Sequence, residues 1–239
     1  MKKQVFYTLA ATVLLSSSLL SALNVQADET EPAKDSTTST AKITFTGDNT
    51  DPVDPVNPDD PDNPVNPVNP VDPDDPDNHG TEDNGPLSID YVSNITFGTQ
   101  DISTTSQVYN AENAEPHVQI TDKRGVEGGW TLTAAATKFI ASDKSELKGA
   151  ELTFKHGVTE TTSGNVSKAP TASDLIFDNT QAKTVMTAGN LKGQGTWLDV
   201  FKGTEGNNTN VQLSVPAGSA QAKEYTATIT WTLTAGPTA

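Results

Sequence analysis

Glu224–Ala235 reads EYTATITWTLTA. Tyr225, Ala227, Ile229, Trp231 and Leu233 fall on one face of an extended chain, and Thr226, Thr228, Thr230, Thr232 and Thr234 on the other. Strict period-two alternation is the pattern of a half-buried β-strand. The phrase has an earlier copy in Gly129–Ala134, GWTLTA, where Trp130, Leu132 and Ala134 alternate with Thr131 and Thr133. The two copies are expected to share one folded domain. The second, close to the end of the sequence, is expected to be docked, since untethered termini fray.

Further alternating segments lie between and before these copies. Leu87, Ile89 and Tyr91 alternate with polar residues, and Ile95 and Phe97 follow after a slip at Ser93-Asn94. Val118 and Ile120 precede a turn at Asp122–Gly125, and Leu152 and Phe154 alternate with Thr153 and Lys155. Val211, Leu213 and Val215 form another run, stopped at Pro216-Ala217-Gly218. Leu175-Phe177, Val185 and Thr196–Phe201 are weaker candidates. No segment carries a helical stripe, although Thr137–Leu147 has room for one helical turn. Many short strands with Gly- and Asn-rich turns predict an all-β fold: an antiparallel β-sandwich, Ig-like or related, over residues 85–239. That length buries a core stable without disulfides, as required of a chain with no cysteine.

The N-terminal third has a different character. Lys2 and Lys3 precede an apolar run from Val5 to Leu23, broken by serines, and Val25-Gln26-Ala27 offers a cleavage site. Residues 1–27 therefore read as a secretory signal peptide. Its removal takes two lysines and no acid, moving the formal charge from −16 to −18. Residues 28–84 read as a spacer: first a polar, disordered stretch with a short candidate strand at Lys42–Thr46, then a proline-rich run. Proline recurs every third residue from Pro52 to Pro76. A polyproline II helix has three residues per turn, so these prolines would line one edge of a semi-rigid rod. Asn84-Gly85-Pro86 marks the boundary with the domain.

Charge and motif content narrow the function. A chain this acidic is a poor ligand for nucleic acid or an anionic membrane. His79, His117 and His156 are scattered, and no HExxH, GxSxG or EF-hand spacing occurs. No catalytic residue, metal ligand or cofactor site presents itself, so a non-enzymatic protein is expected. Trp130, Trp197 and Trp231 are candidates for stacking on sugar rings, with core packing as the other reading. Periodicity favours core for Trp130 and Trp231, whereas Trp197, after Gly193-Gln194-Gly195, is the better candidate for exposure. The Thr faces suit either plain solvent contact or a flat polar platform for glycan.

Trp130-Thr131-Leu132 and Trp231-Thr232-Leu233, about one hundred residues apart, together with Gly85–Val92 and Phe97-Gly98, make residues 85–239 similar to the WxL-domain surface proteins of low-GC Gram-positive bacteria. The order of signal peptide, Pro/Asp spacer and β domain resembles that family too. The resemblance implies a secreted protein retained non-covalently at the cell wall, with peptidoglycan as ligand. It also implies association with other WxL proteins and a companion surface protein. The motif positions Trp130, Leu132, Trp231 and Leu233, with Trp197, are the candidate binding residues. No LPxTG motif or apolar C-terminal tail is present, and no membrane span is expected after signal removal. A protein-docking subunit of a surface complex and a host-matrix adhesin are the alternatives.

Overall fold

The computed structural model describes residues 36–64, 78, 80–126 and 128–236. The expected signal peptide (residues 1–27), His79 and the prolines from Pro67 to Pro76 lie outside them. Two compact units are distinguished, one ending at Ile43 and one beginning at Thr44. Residues 36–43 are exposed and strand-free; the second unit holds every strand described.

In chain order these are β1 (Val56–Asn57), β2 (Asp60–Pro64), β3 (Leu87–Val92), β4 (Gln107–Ala111), β5 (His117–Asp122), β6 (Trp130–Ala136) and β7 (Glu151–Phe154). Then come β8 (Val158–Thr161), β9 (Thr171–Ala172), β10 (Leu175–Phe177), β11 (Lys183–Ala188), β12 (Gly195–Val200), β13 (Asn208–Val215) and β14 (Ile229–Ala235). All pair antiparallel, in three four-stranded sheets ordered β10-β7-β13-β4, β14-β6-β11-β9 and β3-β5-β12-β8, with β1-β2 a separate hairpin. The fold is all-β, as expected, and no helix occurs among the described residues.

The two WTLT copies are neighbours. β6 and β14 pair with Trp231 opposite Ala134, Thr232 opposite Thr133 and Leu233 opposite Leu132. A one-residue slip would turn every apolar side chain outward, so the alternation itself pins this register. In β6 Trp130, Leu132, Ala134 and Ala136 are buried as predicted, and Thr131 on the opposite face is buried as well. On its other side β6 pairs with β11, where a bulge between Thr184 and Met186 places Val185 and Met186 both in the core. One core takes side chains from all three sheets, among them Ile120, Trp130, Leu152, Phe154, Val185 and Val211.

Several expectations need correction. The segment at Lys42–Thr46 is not a strand. Ile95 and Phe97 pack on the core from a loop, not from a continuation of β3. β4 and β8 were not foreseen, because their pairing is to neighbours buried elsewhere and their own patterns are mostly polar. Residues 56–64 are not part of a rod: they form the β1–β2 hairpin, with Val56 buried against Leu198 and Val200 of β12. A proline every third residue permits this, since proline needs no ladder donor on an edge and takes an extended φ.

Among the buried titratable groups of the β3-β5-β12-β8 sheet, Asp199 and His117 have side-chain atoms without a hydrogen-bond partner and large shifts. Asp199 has neither carboxylate oxygen paired, and burial, with the nearby Asp174 carboxylate adding, pushes it up to about 7. His117 stacks on Tyr91 with centroids 4.7 Å apart. Its Nδ1 lies 3.0 Å from the Glu115 carbonyl, which can only accept, so Nδ1 carries the proton. Burial pulls His117 down to about 4.

These shifts act on stability in opposite senses. Native Asp199 keeps a proton that the unfolded chain releases near pH 4, so its contribution is present at low pH and is lost as pH rises through about 7. Asp90, raised by burial in spite of bonds from Ser88, Thr121 and Gln119, adds to that trend. Native His117 stays neutral where the unfolded imidazole takes a proton, so its contribution is present above about 6.5 and is lost as pH falls towards 4. Asp199→Asn removes one of the opposing trends. Urea unfolding at several pH values between about 4 and 7 should show stability rising more steeply with pH in the variant than in the parent. An unchanged slope would mean that Asp199 is ionised in the native state.

Candidate functional site

The two tryptophans of β6 and β12 are core. Trp130 is 0% exposed and Trp197 4%. A buried indole N–H needs an acceptor. Trp130 Nε1 donates to Gly193 O at 3.0 Å, and Trp197 Nε1 donates to Gln194 O at 3.0 Å. One turn between β11 and β12 thus satisfies both rings. Gly193 has φ +73°, and a Cβ there would lie 2.7 Å from Trp130 Nε1 and 2.5 Å from Ala188 Cβ. The glycine is required for the turn to reach the ring. The expected exposure of Trp197 is therefore corrected: the flanking glycines fold over the ring instead of presenting it.

Trp231 differs. It sits on the inward face of β14 with Ile229 and Leu233, all three only half-buried, because β14 is the edge of its sheet. Leu132 is fully buried, and Leu233, opposite it, is half-buried. Trp231 lines an open depression of about 560 Å³ together with Ile89 and Val92 of β3 and with Thr81, Glu82, Asp83 and Asn84. β3 is likewise the edge of its sheet, so the depression lies where two sheet edges face each other. The loop 81–84 is fastened to β3: Thr81 N donates to Asp90 O at 2.9 Å, and Thr81 Oγ1 donates to Ile89 O. Asp83 N in turn donates to Thr81 Oγ1 at 3.2 Å. The site combines an accessible aromatic face, two aliphatic side chains, an amide, a hydroxyl and two carboxylates, all held on rigid strands or on a pinned loop.

The other face of the same sheet carries the threonines. Thr232, Thr133 and Thr184 stand in one row across β14, β6 and β11. Thr234, Thr131, Thr187 and Thr171 stand in a second row that extends to β9. Directly paired residues share a face, so four strands contribute to one platform. Thr171, Thr184, Thr232 and Thr234 are exposed. Sequence reasoning found the Thr faces of β6 and β14. It missed β9 and the 81–84 loop, whose residues carry no periodic signal, and marked β11 only weakly, at Val185. Among the described residues no group of three or more His, Asp or Glu side chains is placed to hold a metal ion. No helix among them is long and apolar enough to cross a membrane.

The contrast between the tryptophans is measurable by chemical unfolding. Trp130→Ala should cost about 3–5 kcal/mol. Trp231→Ala, at a half-buried edge position, should cost about 1–2 kcal/mol and leave a folded domain. Equal losses would place Trp231 in the core.

A family model described as WxL domain, surface cell wall-binding, matches residues 32–237. The match begins well before residue 85 and takes in the β1–β2 hairpin. Neither curated proteins nor solved structures gave a match. The chain belongs to the WxL family of surface cell-wall-binding domains.

Proposed function

We propose that this protein attaches non-covalently to the cell wall by binding peptidoglycan at the depression around Trp231. The observation that supports this reading is the accessibility of Trp231. The other two tryptophans are sealed in the core, whereas this ring lines an open site rimmed by hydrogen-bonding groups. Sugar rings present axial C–H faces that stack on an indole, and their hydroxyls suit Asn84 and Thr81. Glu82 and Asp83 complement the amino groups of a peptide stem. They would repel anionic wall polymers, so teichoic acid is disfavoured as the ligand. The protein acts as a binder, without chemistry on the glycan, and is exported and retained outside the membrane.

A second reading rests on the free edge of β14. An edge strand offers a row of backbone donors and acceptors, and a companion surface protein could add a strand there.

Sedimentation of the purified mature protein with peptidoglycan freed of proteins and teichoic acids separates the two. The parent should pellet at low and high salt, and Trp231→Ala should raise the apparent Kd at least about tenfold with the circular dichroism spectrum unchanged. A folded parent that stays in the supernatant would overturn peptidoglycan binding and favour partner docking.

A further inference from the structure

The proline-rich segment contains the docked sequence twice. Residues 51–63 read DPVDPVNPDDPDN, and residues 66–78 read NPVNPVDPDDPDN, an offset of 15. The copies differ at three positions, 51/66, 54/69 and 57/72, each time by exchange of Asp and Asn.

The first copy is seated on the outer face of the β3-β5-β12-β8 sheet. Val56 is 6% exposed, in an apolar cluster with Leu198 and Val200. Its N–H donates to Gln119 Oε1 at 2.8 Å, and Gln119 Nε2 donates to Asp54 O at 3.2 Å. Asp59 pairs with Lys202, and Asp62 Oδ1 accepts from Ser163 N at 2.6 Å. Every one of these side-chain contacts falls at a position that the second copy keeps: Val71, Asp74 and Asp77 stand where Val56, Asp59 and Asp62 stand in the first. The three positions that differ use only what Asp and Asn share. Asp51 and Asp54 act through their backbone carbonyls, on Lys123 and Gln119. Asn57 acts through Oδ1, which accepts from Asp59 N at 3.0 Å and has a counterpart in a carboxylate. None of these contacts in the groove uses a group that the second copy lacks.

We propose that this groove is a binding site for the Asx-Pro-Val-Asx-Pro-Asp-Asp-Pro-Asp sequence, with two ligands in the same chain. The second copy occupies it in cis when the first is displaced. Both cannot sit there at once. At present Asn78 Nδ2 donates to Val92 O at 3.1 Å and Thr81 N to Asp90 O, on β3, while Ser163 follows β8 at the far edge of the sheet. Three strand spacings of roughly 4.8 Å separate those edges, about 14 Å. Asp77 is one residue from Asn78, about 3.8 Å, so it cannot reach Ser163 while Asn78 is held. Once Asn78 and Thr81 let go, residues 78–86 can extend roughly 30 Å, and the second copy reaches the groove. The exchange releases one repeat on the N-terminal side, 15 residues or about 47 Å if extended. The groove and its strap form a tether with two lengths, and tension from the N-terminal side favours the longer one.

The natural chain has no cysteine, so a label pair can be placed at exposed Asp48 and Glu205 in the mature protein. Val56→Asp disables the first copy, Val71→Asp the second, and the double variant both. Val71→Asp alone should leave Tm and the label distance unchanged. Val56→Asp should lengthen the label distance yet lose less than half the Tm lost by the double variant, which should fall by about 4–8 °C. The distances should not depend on protein concentration. Equal Tm losses in Val56→Asp and the double variant would overturn the proposal. So would an unlengthened distance in Val56→Asp. Concentration-dependent distances, with dimers in sedimentation, would overturn exchange in cis and assign the second copy to a neighbouring molecule.

Discussion

The indole N–H of Trp130 is the constraint on which the rest of the domain depends. A fully buried ring of that size supplies more apolar contact than any other side chain of β6, but only if its single polar atom is satisfied. The acceptor is Gly193 O, sixty-three residues away in sequence. That bond fixes the turn between β11 and β12. The same turn supplies Gln194 O to Trp197, so the β14-β6-β11-β9 and β3-β5-β12-β8 sheets are locked together through adjacent peptide carbonyls. A Cβ at Gly193 would collide with the ring it serves. Gly129, just before β6, is under similar pressure, since a Cβ there would lie 2.0 Å from Ala188 O. Arg124 closes the remaining side, with Nε and Nη2 on the two Asp122 carboxylate oxygens at 2.9 and 2.8 Å and Nη2 also on Gly129 O at 2.7 Å.

Alternation made β6 and β14 legible, because burial on one face writes a period of two directly into the residues. The same holds for β7 and β13, whereas β5 is buried on both faces and a bulge between Ile89 and Tyr91 of β3 turns Tyr91, expected beside Leu87 and Ile89, onto the face of Gln119 and His117. What sequence could not show is which neighbour takes an orphan polar atom. A backbone carbonyl has no residue type, so nothing in Gly193-Gln194-Gly195 announces two indole acceptors. Glycine beside Trp197 suggested exposure and instead permits burial. Trp231 was expected in the core and does pack against it, but only half-buried. Its pattern matches that of Trp130, but β14 is an edge strand, and edge position is a property of topology that a single strand's sequence does not carry. The candidate site was half visible for that reason: the ring was named, while the loop 81–84 opposite it was placed in the spacer.

The proline-rich segment shows a related limit. Period-three proline describes the backbone's preference, and a polyproline II helix is what that preference gives without a partner. Here residues 51–62 have one. Gln119 is buried and bound on both sides, to Asp90 Oδ2 at 3.0 Å and to the strap. Without the strap, Gln119 and the apolar surface of Leu198 and Val200 would face water from the middle of a sheet. The strap therefore completes the sheet's outer face. This explains why the family match extends far upstream of the β domain as its alternation alone would delimit it.

The depression at Trp231 and the core are coupled through β14. Its partner β6 lies nearly a hundred residues earlier, with Trp231 opposite Ala134, so this pairing carries a large loop-closure cost and forms late or only cooperatively. Trp231 and the outermost column of the threonine platform, Thr232 and Thr234, come with that strand. A chain lacking β14 would leave β6 as an edge with Leu132 uncovered on one flank, and would also lack the ring that lines the depression. The strand that completes the core is thus the strand that carries Trp231, and a domain without it lacks the depression as well.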